Sequence, residues 1–176
     1  MAASAGSEFM EPWQRLDTAS AEEARALLTS CCGSTRWVDQ MITRRPFRRQ
    51  SALLAIAADE WNGLTPSDWL EAFSHHPKIG DRESLRSRYP ATHDLSEREQ
   101  AGVSEASDAM LDALAEGNLQ YEARFGYIFI VCATGKTAEE MLTLLYQRLA
   151  NDQDTELRIA AMEQQKITAL RLNGLR

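Results

Sequence analysis

Two of the three histidines in the chain are adjacent, His75 and His76, and the second directly precedes Pro77. A residue before proline is disfavoured in the helical region of backbone space. We therefore expect His76 on a turn at the end of a helix, with a largely fixed backbone. Histidine is the side chain that most readily donates or accepts a proton near neutral pH. The pattern indicates either acid–base chemistry at His76 or a plain helix end, with Gly80 turning the chain.

A proton-transfer histidine needs a carboxylate beside it, and the sequence offers Asp81, Glu97 and Glu99. Ser96 and Glu99 also have the spacing of a capping box, in which each closes a hydrogen bond at a helix start. The two roles are compatible, because the free N–H groups of a helix N-terminus favour an anionic or carbonyl ligand.

The sequence gives weaker support to two other kinds of chemistry, a metal site and a catalytic nucleophile. His75, His76 and His93 with Asp81 and Asp94 could suggest a metal, but adjacent histidines rarely reach one ion and no helical His-x-x-x-His pair occurs, so we expect no metal site. A serine or Cys132 could pair with His76 as a nucleophile, yet no nucleophile elbow or cysteine-protease pattern is present.

The composition narrows the classes of partner. The 176 residues carry a net charge of −7, with an isoelectric point near 5.0, which argues against nucleic acid as the main partner. We expect the arginine-rich run 44–49 to form a solvated loop. Three cysteines, two of them adjacent, indicate a reduced, cytoplasmic protein rather than a disulfide framework. No apolar run is long enough to span a membrane. Residues 1–9 resemble a cloning scar before a native start at Met10.

Helical patterns dominate the elements that must position these side chains. Capping boxes at Ser20 and Thr137 and a proline in the first turn after Thr65 mark helix starts. Helices are predicted over 22–28, 37–43, 51–62, 66–74, 96–114, 117–124, 138–150 and 155–172, with a break before Gly117.

Residues 125–133 are aromatic and β-branched, the composition of a strand, but no second strand is available to pair with them. We therefore predict a buried extended segment whose backbone groups bond side chains, water, a partner subunit or a ligand. The predicted fold is all-α, a single helical-bundle domain with one short extended apolar segment.

Taken in order, several segments resemble the 2-oxo-4-hydroxy-4-carboxy-5-ureidoimidazoline (OHCU) decarboxylase family. The resemblance covers roughly Trp13 to Leu172, with residues 10–176 as the corresponding domain, and its specificity lies in the ordered combination. The matching segments are Arg45-Pro46-Phe47, His76 to Gly80, Ser96 to Gln100, Tyr121 to Ala133, Arg148 to Asn151, Glu156-Leu157 and Lys166 to Leu172.

The resemblance implies a cofactor-free lyase, usually a homodimer, that acts on a small ureidoimidazoline substrate. It assigns catalysis to His76 and Glu99. It implies that the substrate is contacted by Pro77, Ser96, Glu97, Arg98, Gln100, Phe129, Ile130, Val131, Cys132 and Ala133. Arg171 is a further candidate, for holding the departing carboxylate. An arginine favourably placed near a helix C-terminus is the other explanation for Arg171.

Two other functions stay open on the sequence alone. One is a hydrolase or isomerase that acts on a related ureide in the same pocket. The other is a helical adaptor, in which Trp61, Trp69 and Phe73 would form an interaction face and His76 would only end a helix.

Overall fold

The computed structural model describes residues 10–78, 84–85 and 97–175, with the backbone alone over 97–107. The described part of the chain contains helices and no β-strand, so the all-α prediction is confirmed. None of the helices in these ranges combines the length and the apolarity needed to span a bilayer. Contacts between Cα atoms divide the chain into two compact units, Met1–His75 with Gln164–Arg176, and His76–Glu163.

Five helices belong to the first unit. They are α1 (Pro12–Thr18), α2 (Ala21–Cys31), α3 (Thr35–Thr43), α4 (Gln50–Asn62) and α5 (Pro66–Ser74). Helix α1 is absent from the sequence prediction, and α2 and α3 are longer than predicted. Ser34 explains the earlier start of α3, because its hydroxyl accepts the N–H of Trp37 and so satisfies a free donor of the first turn.

The first unit has a core of large apolar side chains. Leu16, Leu28, Trp37, Leu53 and Phe73 are fully buried there. The indole N–H of Trp37 donates to the backbone oxygen of Ala57 at 3.0 Å, so even the polar atom of this side chain is satisfied.

The arginine-rich run follows α3 and forms a loop, as predicted. Asp17 accepts the N–H groups of Phe47 and Arg48 at 2.8 and 2.9 Å, and Arg45 donates to the backbone oxygens of Asp17 and Ala19. Arg45 therefore satisfies free carbonyl groups at the C-terminal end of α1.

The second unit is built on helix α6 (Glu97–Phe125), followed by α7 (Ala138–Leu149). The predicted break before Gly117 is wrong, because α6 runs through it without interruption. A Cβ atom at Gly117 would lie 2.5 Å from Cδ2 of Leu145, a fully buried side chain of α7. The glycine therefore lets α7 approach α6 closely and does not end the helix.

The last helix, α8 (Gln153–Asn173), passes from the second unit into the first. It begins two residues earlier than predicted. Asp152 accepts the N–H and hydroxyl of Thr155 at 2.9 and 2.7 Å, and these bonds lower the pKa of the Asp152 carboxyl. Gly174 ends the helix, donating its N–H to the oxygens of Leu170 and Arg171.

Candidate functional site

The His75-His76 turn lies directly after helix α5, as predicted. Helix α5 starts after Thr65, which donates its N–H and its hydroxyl to Oδ2 of Asp68 at 2.8 and 2.7 Å, and these two bonds lower the pKa of Asp68. His75 ends the helix by donating its N–H to Ala72 at 3.2 Å, and His76 is half-buried on the bend that follows. The turn is therefore held by the helix that precedes it.

Helix α5 is itself fixed to helix α3 by a carboxylate. Glu71 accepts the N–H of Thr35 at 3.0 Å and the hydroxyl of Thr35 at 2.6 Å. Two hydrogen bonds from one residue restrain the Glu71 carboxylate in angle as well as in distance. The side chain that bonds α5 to α3 stands four residues before His75, about one turn from the end of the helix.

The two histidines differ in their surroundings. The His75 ring packs on Gly33 so closely that a Cβ atom there would lie 2.3 Å from Cγ of His75. No other residue type can occupy position 33 without moving that ring. His75 therefore packs against Gly33 within the first unit while the residue as a whole stays exposed. The assignment of proton transfer to His76 stays a prediction.

Part of the predicted site lies outside the described residues. This is so for Ile79, Gly80, Asp81, His93, Asp94 and Ser96. Helix α6 begins at Glu97, so Glu97, Arg98, Glu99 and Gln100 stand in its first turn, where free N–H groups favour an acceptor ligand. Their side chains belong to the range described by backbone alone. The roles assigned to them stay predictions.

The predicted extended segment is present between α6 and α7. Phe125 is the last residue of α6, and the chain then runs without helix or strand from Gly126 to Thr137. Gly126 leaves the helix at a φ of 82°, a backbone conformation that side-chain-bearing residues rarely adopt. The apolar segment predicted near 125–133 is thus confirmed, shortened by one residue at its start, but of its residues only Ile130 and Cys132 are buried and the others are half-buried or exposed.

Side chains take three of the backbone groups of this segment. Arg148 donates from Nη1 to the oxygen of Ile130 at 2.7 Å. The N–H of Cys132 donates to Glu163 at 2.7 Å, and the oxygen of Cys132 accepts from Lys136 Nζ at 2.8 Å. Side chains were one of the four kinds of partner predicted for these groups.

Arg148 belongs to a buried polar cluster. Its Nε and Nη2 atoms donate to Oε1 of Glu156 at 2.8 and 2.6 Å, and the hydroxyl of Tyr121 donates to the same oxygen. Asn151 donates to the other oxygen of Glu156 at 2.9 Å. Burial, and then the bond to Glu156, raises the pKa of Tyr121, so its hydroxyl stays a donor at neutral pH.

Sequence reasoning assigned no role to Tyr121, Arg148 or Glu156, although all three lie in segments that carry the family resemblance. A charged pair eight residues apart spans the end of α7 and the start of α8, and no periodic pattern marks it. The one usable signal was the extended segment, whose unpaired carbonyl groups need donors.

Cys31, Cys32 and Cys132 are buried free thiols. Burial raises the pKa of both Cys31 and Cys32 to about 11, so these two are protonated at neutral pH. Cys132 is 8% exposed and packs as a small side chain of the extended segment.

Arg171 lies in the last turn of α8, in the first unit. Its Nη1 atom donates to the backbone oxygen of Cys31 at 3.3 Å. It lines an open cleft of about 570 Å³ together with Thr29, Ser30, Cys31, Gly33, His75, Gly174 and Leu175. The position suits both explanations of Arg171, since the guanidinium faces open space and also stands near a helix C-terminus.

The aromatic face required by an adaptor does not form. Phe73 is fully buried and Trp61 is 3% exposed. The half-buried Trp69 donates its indole N–H to the oxygen of Trp61 at 3.3 Å, and their rings lie 6.3 Å apart. These side chains belong to the core of the first unit.

Comparison with known proteins points to one family. The model of the family described as OHCU decarboxylase matches residues 17–173. The uric acid degradation bifunctional protein TTL of Arabidopsis thaliana is 46% identical over 148 residues, which are 82% of this chain and 45% of that protein. The 2-oxo-4-hydroxy-4-carboxy-5-ureidoimidazoline decarboxylase of Xenopus laevis is 33% identical over 57% of each chain. This chain therefore spans about half the length of these two relatives.

A solved structure agrees with this similarity. An OHCU decarboxylase crystallised in the presence of (S)-allantoin has a TM-score of 0.68 to this chain at 40% sequence identity. The match covers 89% of this chain and 98% of the crystallised one. The likeness therefore extends over nearly the whole of a solved enzyme.

Proposed function

The chain belongs to the OHCU decarboxylase family, and we propose that it converts 2-oxo-4-hydroxy-4-carboxy-5-ureidoimidazoline to (S)-allantoin and carbon dioxide in urate degradation. The observation that carries the proposal is the family match over residues 17–173, which includes the turn at His76 after α5. The enzyme would be a carbon–carbon lyase that uses no cofactor.

The proposed decarboxylation does not require a cofactor to take up the electron pair. Loss of carbon dioxide leaves an electron pair on the substrate carbon, and the substrate's own carbonyl and imine-like ring can take up that charge. The protein must then orient the carboxylate out of the ring plane, stabilise the developing charge and deliver a proton to one face. Control of the protonated face is part of the function, because the family chemistry implies that the uncatalysed reaction gives a racemic product.

His76 is the proposed proton-transfer group. His76 is half-buried on the turn directly after α5, and its imidazole can exchange a proton near neutral pH. Glu99 would bind ring N–H groups of the substrate and orient His76, and Pro77 would line the pocket. Ser96, Glu97 and Arg98 would contact the ring from the start of α6, where free N–H groups favour an acceptor.

The rest of the substrate would be held by polar backbone. Gln100 and the backbone of residues 129–133 would bind the ureido and carbonyl groups. The anchors found on Ile130 and Cys132 support this, because they leave the groups of Val131 without a hydrogen bond to any other described residue. Arg171, on the first unit's cleft, is the proposed partner of the departing carboxylate.

One experiment tests the reaction directly. Urate is oxidised freshly in the presence of a hydroxyisourate hydrolase, and the circular dichroism of the mixture is followed with and without this protein. We expect a faster rise of the (S)-allantoin signal with the protein, together with faster release of carbon dioxide. An unchanged signal would reject the proposal, and a signal change without carbon dioxide release would favour a hydrolase or isomerase.

We further propose a cytoplasmic homodimer, as is usual in the family. Three buried free thiols support a reducing compartment. Sedimentation equilibrium at micromolar concentration tests the assembly, and a single species with the 19.7 kDa mass of one chain would exclude the dimer.

A further inference from the structure

The extended segment is held by a buried ion pair that the proposed reaction does not itself use. Arg148 is 6% exposed and Glu156 is fully buried. Nε and Nη2 of Arg148 both bond Glu156, which fixes the guanidinium plane and directs Nη1 at the oxygen of Ile130, 2.7 Å away. The same guanidinium lies 4.6 Å from the ring centre of Phe129, so it contacts two consecutive residues of the segment.

Stability alone does not account for this pair. Removing two charges from water costs about as much as their attraction returns, and apolar side chains of similar volume often stabilise a protein equally well. Two apolar side chains could fill the space of Arg148 and Glu156, but they could not donate a hydrogen bond to Ile130. The specific contribution of the pair is that bond and the backbone orientation it imposes.

The hydrogen bond from Arg148 to Ile130 also determines where the neighbouring backbone groups of the segment point. In an extended chain the N–H and C=O groups of successive residues point to opposite edges, so residues two apart share an edge. The side-chain anchors all meet Ile130 or Cys132, which are two residues apart and so share an edge. Val131 must then present its N–H and C=O at the other edge, where no described residue bonds them.

We propose that Arg148 and Glu156 are positioning residues, which hold the Ile130 edge of the segment so that the Val131 edge faces the substrate's ureido and carbonyl groups. The inference rests on the proposed decarboxylation. It concerns binding rather than proton transfer, because the pair acts on the segment through a hydrogen bond to the backbone of Ile130 and a contact with the ring of Phe129.

The test removes both charges together, in Arg148→Met/Glu156→Leu, so that no unpaired charge is left in the core. One hydrogen bond to a ligand is worth roughly a two- to tenfold change in affinity, and two bonds at Val131 are at risk. We expect KM and the dissociation constant of (S)-allantoin, measured by calorimetry, to rise about tenfold, with kcat changed less than about threefold.

A second variant guards against loss of folding. Arg148→Lys keeps a positive charge beside Glu156, yet one ammonium cannot reproduce the planar fork that reaches Glu156 and Ile130 together. We expect it to raise KM in the same direction. Arg25→Met/Asp39→Leu makes the same replacements at an exposed pair, bonded at 2.6 Å, and should leave KM within about twofold.

The outcomes separate the two proposals. If the wild-type chain binds (S)-allantoin and turns over substrate, while a folded Arg148 variant keeps wild-type KM and affinity, the positioning role is overturned. If the wild-type chain neither binds (S)-allantoin nor accelerates its formation, the proposed function fails, and the positioning role fails with it. A rise in KM in both Arg148 variants, with the exposed-pair control unchanged, supports the inference.

Discussion

His75 and His76 are neighbours in the chain, but packing restrains the first and the backbone before Pro77 restrains the second. The His75 ring is packed against Gly33, whereas His76 stands half-buried on the bend before Pro77. Packing favours one ring position, and a pre-proline backbone favours one direction for the side chain. Packing of the His75 ring contributes to the fold. A restricted backbone at His76 suits a side chain that exchanges a proton with a substrate.

The assignment of proton transfer to His76 can be tested at these two positions. Removing a general acid or base typically costs about 10²- to 10⁴-fold in rate. We expect His76→Asn to lower kcat/KM for (S)-allantoin formation at least about 100-fold. His75→Asn should cost less than about tenfold, through disturbed packing on Gly33. Thermal unfolding of both proteins controls for folding, and a larger loss at His75 would show that the roles are reversed.

Local rules explain why the His76 turn could be predicted and the Arg148 cluster could not. Pro77 restricts the residue directly before it, and helix α5 is set by Thr65, Pro66 and Asp68 within four residues. The partners of Arg148 stand 8, 18 and 27 residues away along the chain. Contacts of that separation depend on tertiary packing, which leaves no periodic mark in the sequence.

The same distinction holds for whole elements. The capping boxes at Ser20 and Thr137 occur as predicted, because each is complete within four residues. The predicted break in α6 is wrong, because Gly117 contacts Leu145, a residue of another helix that no local pattern around the glycine indicates. A glycine that ends a helix and a glycine that admits a neighbouring helix look alike in sequence.

Substitution of Gly117 separates these two roles. Inside a helix, replacing glycine by alanine gains roughly 1 kcal/mol from improved helix propensity where no neighbour crowds the new methyl group. In α6 the new methyl group would meet Cδ2 of Leu145 at 2.5 Å, and overpacking costs about 1–3 kcal/mol. We expect Gly117→Ala to lower the free energy of unfolding by about 1 kcal/mol, measured in urea.

A double-mutant cycle identifies the clashing partner. Leu145→Ala alone should cost about 2–5 kcal/mol, because it leaves a cavity in the core of the second unit. In the Gly117→Ala protein the same change should cost measurably less, since the alanine methyl group occupies part of that space. Additive effects, or a stabilised Gly117→Ala protein, would contradict the packing role.

For the whole molecule, the order of the motifs along the chain identified the family better than any single motif. The family match extends over residues 17–173 and so includes parts of both compact units. Apart from the resemblance, the residues alone left acid–base chemistry and a plain helix end equally open for His76. Composition argues against nucleic acid as the main partner but does not indicate a substrate, because net charge describes the overall electrostatic field of a protein and not the chemistry of its binding site.

The two buried thiols of the first unit make the stability of the molecule sensitive to alkali. Burial raises the pKa of Cys31 and Cys32 from 9.0 to about 11, whereas in the unfolded chain both ionise near 9. Between pH 9 and 11 the unfolded state therefore releases protons that the folded state retains, so stability present below pH 9 is lost as pH rises. Each thiol should contribute a slope approaching 1.4 kcal/mol per pH unit. Urea unfolding under reducing conditions at pH 8, 9 and 10 should show this fall in the free energy of unfolding. The double variant Cys31→Ala/Cys32→Ala should lose most of the pH dependence. An equal slope in both proteins would mean that the thiols are hydrated in the folded state.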